Sequence, residues 1–104
     1  MRMSDQTLAT LKQIPAAELG GPGAPDPELC AAAAIRALGE TAGESFRMAS
    51  LALDVASHAI GVGMVEINTT TDKRARAIVF VSLEARMGGA MVFSAQGLFS
   101  AKRG

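Results

Sequence analysis

The second half of the chain constrains the fold most, because residues 50–101 have the pattern of successive β-strands joined by short turns. In the first of them Leu51, Leu53 and Val55 alternate with small or polar residues, which is typical of a strand with one buried face. Gly88-Gly89 has the composition of a hairpin turn. Four strands are therefore predicted as an antiparallel meander, at about 46–57, 64–69, 76–84 and 90–99.

The third predicted strand differs from the others, since apolar residues occupy both of its faces. Ile78 and Phe80 have one parity, and Val79, Val81 and Leu83 have the other. This pattern predicts a central strand that is covered on both sides.

One long helix is predicted ahead of these strands. Asp26-Pro27 is a strong helix start, with Asp as the N-cap and Pro at the first helical position, and Gly43 is suited to the C-cap. The helix should run from about residue 28 to residue 42. One broad apolar stripe is predicted, formed by Leu29, Cys30, Ala33, Ala34, Ala37, Leu38 and Thr41. The four consecutive alanines Ala31–Ala34 add little side-chain bulk, and so slim a helix can be closely wrapped by a sheet.

Residues 1–25 are predicted to form a lead-in to a body of residues 26–104. Ser4 as N-cap and two leucines spaced i, i+3 indicate a short helix through about Ile14. The segment from Gly20 to Pro27 then holds three of the four prolines, which predicts a linker or an ordered loop. No strand is expected in this part of the chain.

Composition excludes several classes of function. Ten basic and ten acidic residues give no net charge, and Trp and Tyr are missing, which argues against nucleic acid as a partner. No apolar run approaches the roughly 20 residues of a membrane span. The single cysteine, Cys30, excludes an internal disulfide, so the cytoplasm is the default location. A core poor in large side chains indicates an oligomer.

The order of a helix followed by strands resembles the hotdog-fold acyl-CoA thioesterases of the phenylacetate-degradation and 4-hydroxybenzoyl-CoA thioesterase type. The resemblance covers Ala49–Phe99, through the strand pair SLALDVASHAIGVGMVEI and the closing hairpin with Ala95-x-Gly97-x-Phe99. It implies an α+β hotdog fold, in which an antiparallel sheet wraps one long helix and two subunits pair their sheets. Such proteins begin with a strand, so the first strand is expected to be missing here.

The resemblance further implies an acyl-CoA thioester as ligand, no metal or other cofactor, and a homodimer or homotetramer. Many catalytic members carry His-Gly-Gly where the helix begins, with an Asp or Glu about two turns on. This chain has Leu19-Gly20-Gly21 there, and Glu28 is the nearest acid at comparable spacing. Aligning backward from Asp54 without gaps places Ala32 at the catalytic position instead.

Glu28 is accordingly the candidate general base or nucleophile, with Gly20 and Gly21 as candidate substrate contacts. In this interpretation, backbone N–H groups at the helix start polarise the thioester carbonyl. The alternative is a solvated acid that only favours the positive end of the helix dipole.

Lys73, Arg74 and Arg76 form a basic cluster at a predicted turn near residues 71–73, and such a cluster can bind the phosphates of CoA. The alternative is a solvated hairpin tip beside Asp72.

Asp54 and His58 are the remaining polar residues of interest. Asp54 is expected on the outer face of its strand, because its period-2 neighbours are small. His58 has no second histidine or nearby cysteine with which to bind a metal, so a surface role is expected. Cys30 is expected in the core. Two functions remain open, a thioesterase and a non-catalytic hotdog subunit, with a small interaction module as a third.

Overall fold

The computed structural model describes residues 9–102, which form one antiparallel sheet with one α-helix packed against it. A single 3₁₀ turn (Ala16–Leu19) precedes the helix. The elements in chain order are β1 (Ala9–Pro15), α1 (Pro27–Ala42), β2 (Phe46–Val55), β3 (Met64–Arg74), β4 (Ile78–Met87) and β5 (Ala90–Ala101). One helix against an antiparallel sheet is the α+β architecture expected from the sequence.

The strands are ordered β1-β3-β4-β5-β2 across the sheet, and every neighbouring pair is antiparallel. β4 lies at the centre, as predicted. The prediction of a simple meander is wrong, because β2 pairs with β5 at the far edge and not with β3. Alternation determines which face of a strand is buried, but it does not select the neighbouring strand.

The predicted short helix through about Ile14 and the predicted absence of a first strand are also wrong. β1 pairs with β3 from Ala9↔Thr70 to Pro15↔Met64. The sequence of β1 lacks the usual alternation of apolar residues on the buried face with polar residues on the exposed face. Lys12 lies on the helix side, where it forms an ion pair with Glu40 at 2.7 Å, whereas Leu11 is 59% exposed. The N-cap proposed at residue 4 lies outside the described residues.

Helix α1 has the predicted bounds to within a residue. Asp26 caps its N-terminus through the side chain, and the N–H of Gly43 donates to the carbonyl of Gly39 at 3.0 Å. The buried face of α1 is mostly alanine with one large residue, Leu38. A Cβ added to Gly97 of β5 would lie 3.3 Å from Cδ1 of Leu38, so the small residues let helix and sheet approach closely.

The other face of the sheet is open in the single chain. Ile78 and Phe80 of β4 are each 40% exposed, so this central strand is covered only on its helix side. Among the described residues, no helix is long and apolar enough to cross a membrane.

Candidate functional site

The start of α1 carries the candidate base, Glu28, whose side chain is exposed in the first turn. The backbone donors of that turn already have acceptors. Oδ1 of Asp26 accepts from the N–H of Glu28 at 2.8 Å and from that of Leu29 at 3.4 Å, and the Asp26 carbonyl accepts from Cys30 at 2.9 Å. The groups expected to polarise a thioester carbonyl are therefore engaged in capping the helix.

Gly20 and Gly21 close the 3₁₀ turn just before the helix. Their N–H groups donate to the carbonyls of Ala17 at 3.2 Å and Ala16 at 3.0 Å, respectively. A Cβ on Gly21 would lie 3.0 Å from the carbonyl oxygen of Gly61, so this glycine lets the 56–63 loop lie against the turn. Both glycines have an evident structural role in the chain.

The basic cluster divides into two kinds of residue. β3 continues to Arg74, and the turn lies at residues 75–77, beyond the position predicted for it. The guanidinium of Arg74 donates to the carbonyl of Thr41 at 3.2 Å and to that of Ala42 at 3.3 Å, and it lies 5.7 Å from the ring centroid of Phe46. Arg74 thus caps the C-terminus of α1.

Lys73 and Arg76 flank Arg74 in the chain and are exposed, and Lys73 lies beside Phe80 on the outer face of the sheet, away from α1. Because Arg74 bonds to the last turn of α1, these cations lie at the opposite end of the helix from Glu28. The rise of an α-helix separates the two ends by about 20 Å. The structure therefore does not bring Glu28 and the cations together within one chain.

Asp54 and His58 are both exposed, as expected. Asp54 lines a shallow groove on the outer face together with Glu84, and His58 lies in the 56–63 loop. Within residues 9–102, no three His, Cys, Asp or Glu side chains are grouped so that they could hold a metal ion.

Cys30 is fully buried on the inner face of α1. Burial, assisted by the negative charge of Asp26, raises the pKa of the Cys30 thiol to about 11. Such a thiol stays protonated near neutral pH and is not a nucleophile, which agrees with the expected core position.

A polar cluster that no sequence pattern indicated lies beneath the last turns of α1. Thr69 is 2% exposed and shares a hydrogen bond with Thr41, and Thr71, 6% exposed, has no hydrogen-bond partner in the described part of the chain. Lys12 and Glu40 border the same region. A threonine in a strand pattern gives no sign of which face it occupies, so only the β1–β3–α1 packing reveals this cluster.

No family model matches the sequence, and no curated protein matches it. Solved structures do. A hypothetical thioesterase protein with coenzyme A from Streptococcus pneumoniae aligns over 97% of this chain and 82% of its own, at a TM-score of 0.74 and 10% identity. A Streptococcus mutans protein bound to acetyl CoA aligns over 98% of this chain and 86% of its own, at 0.74 and 8% identity. The PaaI protein from the phenylacetic acid degradation operon of E. coli aligns over 94% and 74%, at 0.74 and 11% identity.

This chain has a hotdog fold. The resemblance inferred from residues 49–99 is confirmed at the level of the fold. Identities this low do not carry over site residues, so the roles of Glu28, Gly20, Gly21, Lys73 and Arg76 depend on the chemistry of this chain.

Proposed function

We propose that the protein binds acyl-CoA thioesters, and that Glu28 is the base through which it hydrolyses them. The observation that carries the proposal is the fold shared over nearly the whole chain with one structure that contains coenzyme A and another that contains acetyl CoA.

The acyl group is proposed to lie beside α1 at an interface between two subunits. Large apolar side chains that the chain itself leaves uncovered support this placement. Leu29 and Ile35 of α1 are 42% and 48% exposed, and Val62 of the 56–63 loop is 87% exposed. The outer edge of β2 has no neighbouring strand among residues 9–102, and an unpaired edge is a surface on which a second copy can continue the sheet. We therefore propose a homo-oligomer built on a β2 edge pair.

The phosphates of CoA are proposed to lie against Lys73 and Arg76. Among residues 9–102 neither cation makes hydrogen bonds like those of Arg74 to the end of α1, and a phosphate is a good acceptor for both. The helix length of about 20 Å between them and Glu28 requires an extended ligand. Coenzyme A meets this requirement, because its pantetheine arm separates the thiol from the phosphates.

In the proposed reaction the Glu28 carboxylate takes a proton from a water molecule as the water oxygen attacks the thioester carbonyl carbon. The tetrahedral intermediate then expels the CoA sulfur, which leaves as the thiol after it receives that proton. The products are a carboxylic acid and free CoA. Both electrons of the broken C–S bond leave with sulfur, so no redox partner is needed.

A second candidate function is acyl-CoA binding without hydrolysis. The cap at the helix start favours it, since Asp26 occupies the N–H groups of Glu28 and Leu29 that would stabilise an oxyanion. The buried, free Cys30 suits a reducing compartment, and we propose the cytoplasm for either function.

The two candidates are separated by measuring thiol release from a panel of acyl-CoAs together with calorimetric binding of a non-hydrolysable thioether analogue. Hydrolysis predicts turnover that falls at least about 100-fold in Glu28→Gln with analogue affinity retained. Glu18→Gln, at another exposed acid near the helix start, is the matched control and should behave as wild type. Binding without turnover selects the second candidate. Absence of both binding and turnover would refute the proposed function.

A further inference from the structure

The face of α1 that carries Glu28 also carries one large apolar side chain, Ile35. The two residues are seven positions apart, so after two helical turns they lie on the same face of the helix. We propose that Ile35 sets the length of the acyl group, and that the protein accepts short and medium acyl chains of up to about eight carbons. This inference rests on the proposed function and names the substrate class of that same site.

Leu38 shows which flank of α1 is turned toward β2. A Cβ added to Gly97 of β5 would lie 3.3 Å from Cδ1 of Leu38 and 3.5 Å from Cε of Met48 of β2, so Leu38 packs on the β5–β2 side of the sheet. Ile35 precedes Leu38 by three residues, and side chains at this spacing are neighbours on a helix surface. Ile35 therefore lies on the same flank as Leu38, further from the sheet.

The other flank of α1 is turned toward β1, where Glu40 forms its ion pair with Lys12 at 2.7 Å. Five residues at about 100° each place Glu40 about 140° around the helix from Ile35. β1 and β2 are the two opposite edges of the sheet. The face that bears Glu28 and Ile35 is thus on the side of the β2 edge, where the acyl group is proposed to lie.

Ile35 is the first large side chain on this face after Glu28. The positions three and four residues beyond Glu28 are Ala31 and Ala32, which fill little space, whereas the side chain of Ile35 is 48% exposed. Side chains on a helix lean toward its N-terminus, so Ile35 leans toward these two alanines. Its side chain therefore lies across the path of an acyl chain that runs along α1 from Glu28.

The spacing of the two residues gives the length of that path. Seven residues of an α-helix separate Glu28 from Ile35 by about 10 Å along the axis of α1. An extended carbon chain advances about 1.2 Å per bond, as an extended backbone does, so about eight carbons span this distance. A longer acyl chain has to bend away from α1 or displace the Ile35 side chain.

The residues on this face beyond Ile35 are small. Gly39 follows four residues later and has no side chain, and Ala42 ends the helix. Truncation of Ile35 therefore opens the path as far as Gly39, about 16 Å from Glu28. That distance corresponds to about thirteen carbons of an extended chain.

The alternative is that Ile35 only packs in the interface between two subunits. Truncation of Ile35 would then weaken the assembly and lower the affinity for every acyl chain alike. A side chain that sets the length instead changes how affinity depends on the number of carbons.

The test is calorimetric binding of non-hydrolysable thioether analogues of acyl-CoA, with chains from acetyl to palmitoyl length, so it applies whether or not the thioester is hydrolysed. Ile35→Ala removes the obstacle and Ile35→Phe enlarges it. Alanine is the best helix former, and circular dichroism melting and sedimentation velocity check the fold and mass of each variant. Arg36→Ala is the matched control, at the next exposed residue of α1, which is rotated about 100° away from Ile35.

In wild type the affinity should rise about two- to fourfold per added methylene and level off near about eight carbons. Ile35→Ala should move this plateau to chains at least about four carbons longer, and Ile35→Phe should move it to shorter chains. Arg36→Ala should keep the wild-type dependence on length.

The inference is overturned if the wild-type affinity still rises beyond about twelve carbons, if both Ile35 variants keep the wild-type plateau, or if Ile35→Ala weakens all lengths equally. Each of these outcomes leaves acyl-CoA binding itself intact. Failure of every analogue to bind the wild-type protein would instead refute the proposed function, and this inference with it.

Discussion

The two ends of α1 are capped in different ways. A helix leaves unpaired N–H groups at its start and unpaired carbonyls at its end. At the start the cap is local, since Asp26 bonds to Glu28 two residues away. At the end the cap comes from a distant strand, because Arg74 bonds to Ala42, 32 residues away in sequence.

This contrast explains which parts of the candidate site the sequence could indicate. The local cap has a sequence signature, and the distant cap has none. Both caps use groups that the resemblance suggested for the substrate, namely the first-turn N–H groups and one of the three cations. At both ends of α1, therefore, capping the helix and binding the proposed ligand compete for the same groups.

Loss of the distant cap should have the largest effect on stability. Arg74→Ala removes charge-assisted bonds to two helix carbonyls and the contact with the Phe46 ring, so the free energy of unfolding should fall by about 1.5–3 kcal/mol. Arg74→Lys should recover only part of it, because an ammonium cannot donate from two nitrogens. Urea titration measures both variants. Arg76→Ala is the matched control and should stay within about 0.5 kcal/mol of wild type. Equal losses at both arginines would contradict the assignment.

The buried thiol of Cys30, near the start of α1, should lower the free energy of unfolding at alkaline pH. The thiol has a pKa of about 11 in the folded chain against an ordinary value of 9.0. Well below pH 9 it is protonated in both states and has no effect on stability. Between pH 9 and pH 11 the unfolded chain loses the proton first, so stability falls as pH rises, by about 1.4 kcal/mol at pH 10.

The difference between wild type and Cys30→Ala isolates this contribution from other groups that titrate in the same range. Urea titration from pH 7 to pH 10.5 measures the unfolding free energies of both proteins. As pH rises, the advantage of wild type over Cys30→Ala should narrow or reverse. A gap that does not change with pH would show that Cys30 is not shielded as the structure indicates.

Loss of the local cap should cost less than loss of the distant one. Asp26→Ala leaves the N–H groups of Glu28 and Leu29 to water and should lower the free energy of unfolding by about 1 kcal/mol. Asp26→Asn retains an acceptor oxygen and should lose only a fraction of this. The same urea titration compares the pair. If Asp26→Ala destabilises the chain more than Arg74→Ala, then the ranking of local and distant caps is wrong.

Local signals predicted much of the fold. Helix α1, its caps at Asp26 and Gly43 and the approximate positions of β2 to β5 follow from short-range patterns. β1 and the order of the strands do not, because they depend on pairing between distant segments. In β1 the pattern was also misleading, since Lys12 lies toward α1 to pair with Glu40 and Leu11 is exposed.

The candidate site was predictable to a smaller extent. The sequence could identify acids, cations and glycines, but not their partners. Arg74 and Arg76 look equivalent in a basic cluster, and only the end of α1 distinguishes them. The separation of about 20 Å between Glu28 and the cations likewise depends on where each end of α1 meets the sheet. No local sequence pattern specifies those positions.

The smallest predicted effect is on ligand binding and concerns Arg76, which does not cap α1 as Arg74 does. If Arg76 contacts CoA phosphates at the surface, Arg76→Ala should weaken binding of the thioether analogue by about two- to fivefold, since exposed charge pairs contribute little. Added salt should reduce this difference, because exposed charges are screened. Calorimetry at two salt concentrations tests it, with Arg36→Ala as the control. An effect of Arg76→Ala that does not change with salt would mean that this residue acts through the fold, as Arg74 does, and that the basic turn is not the phosphate site.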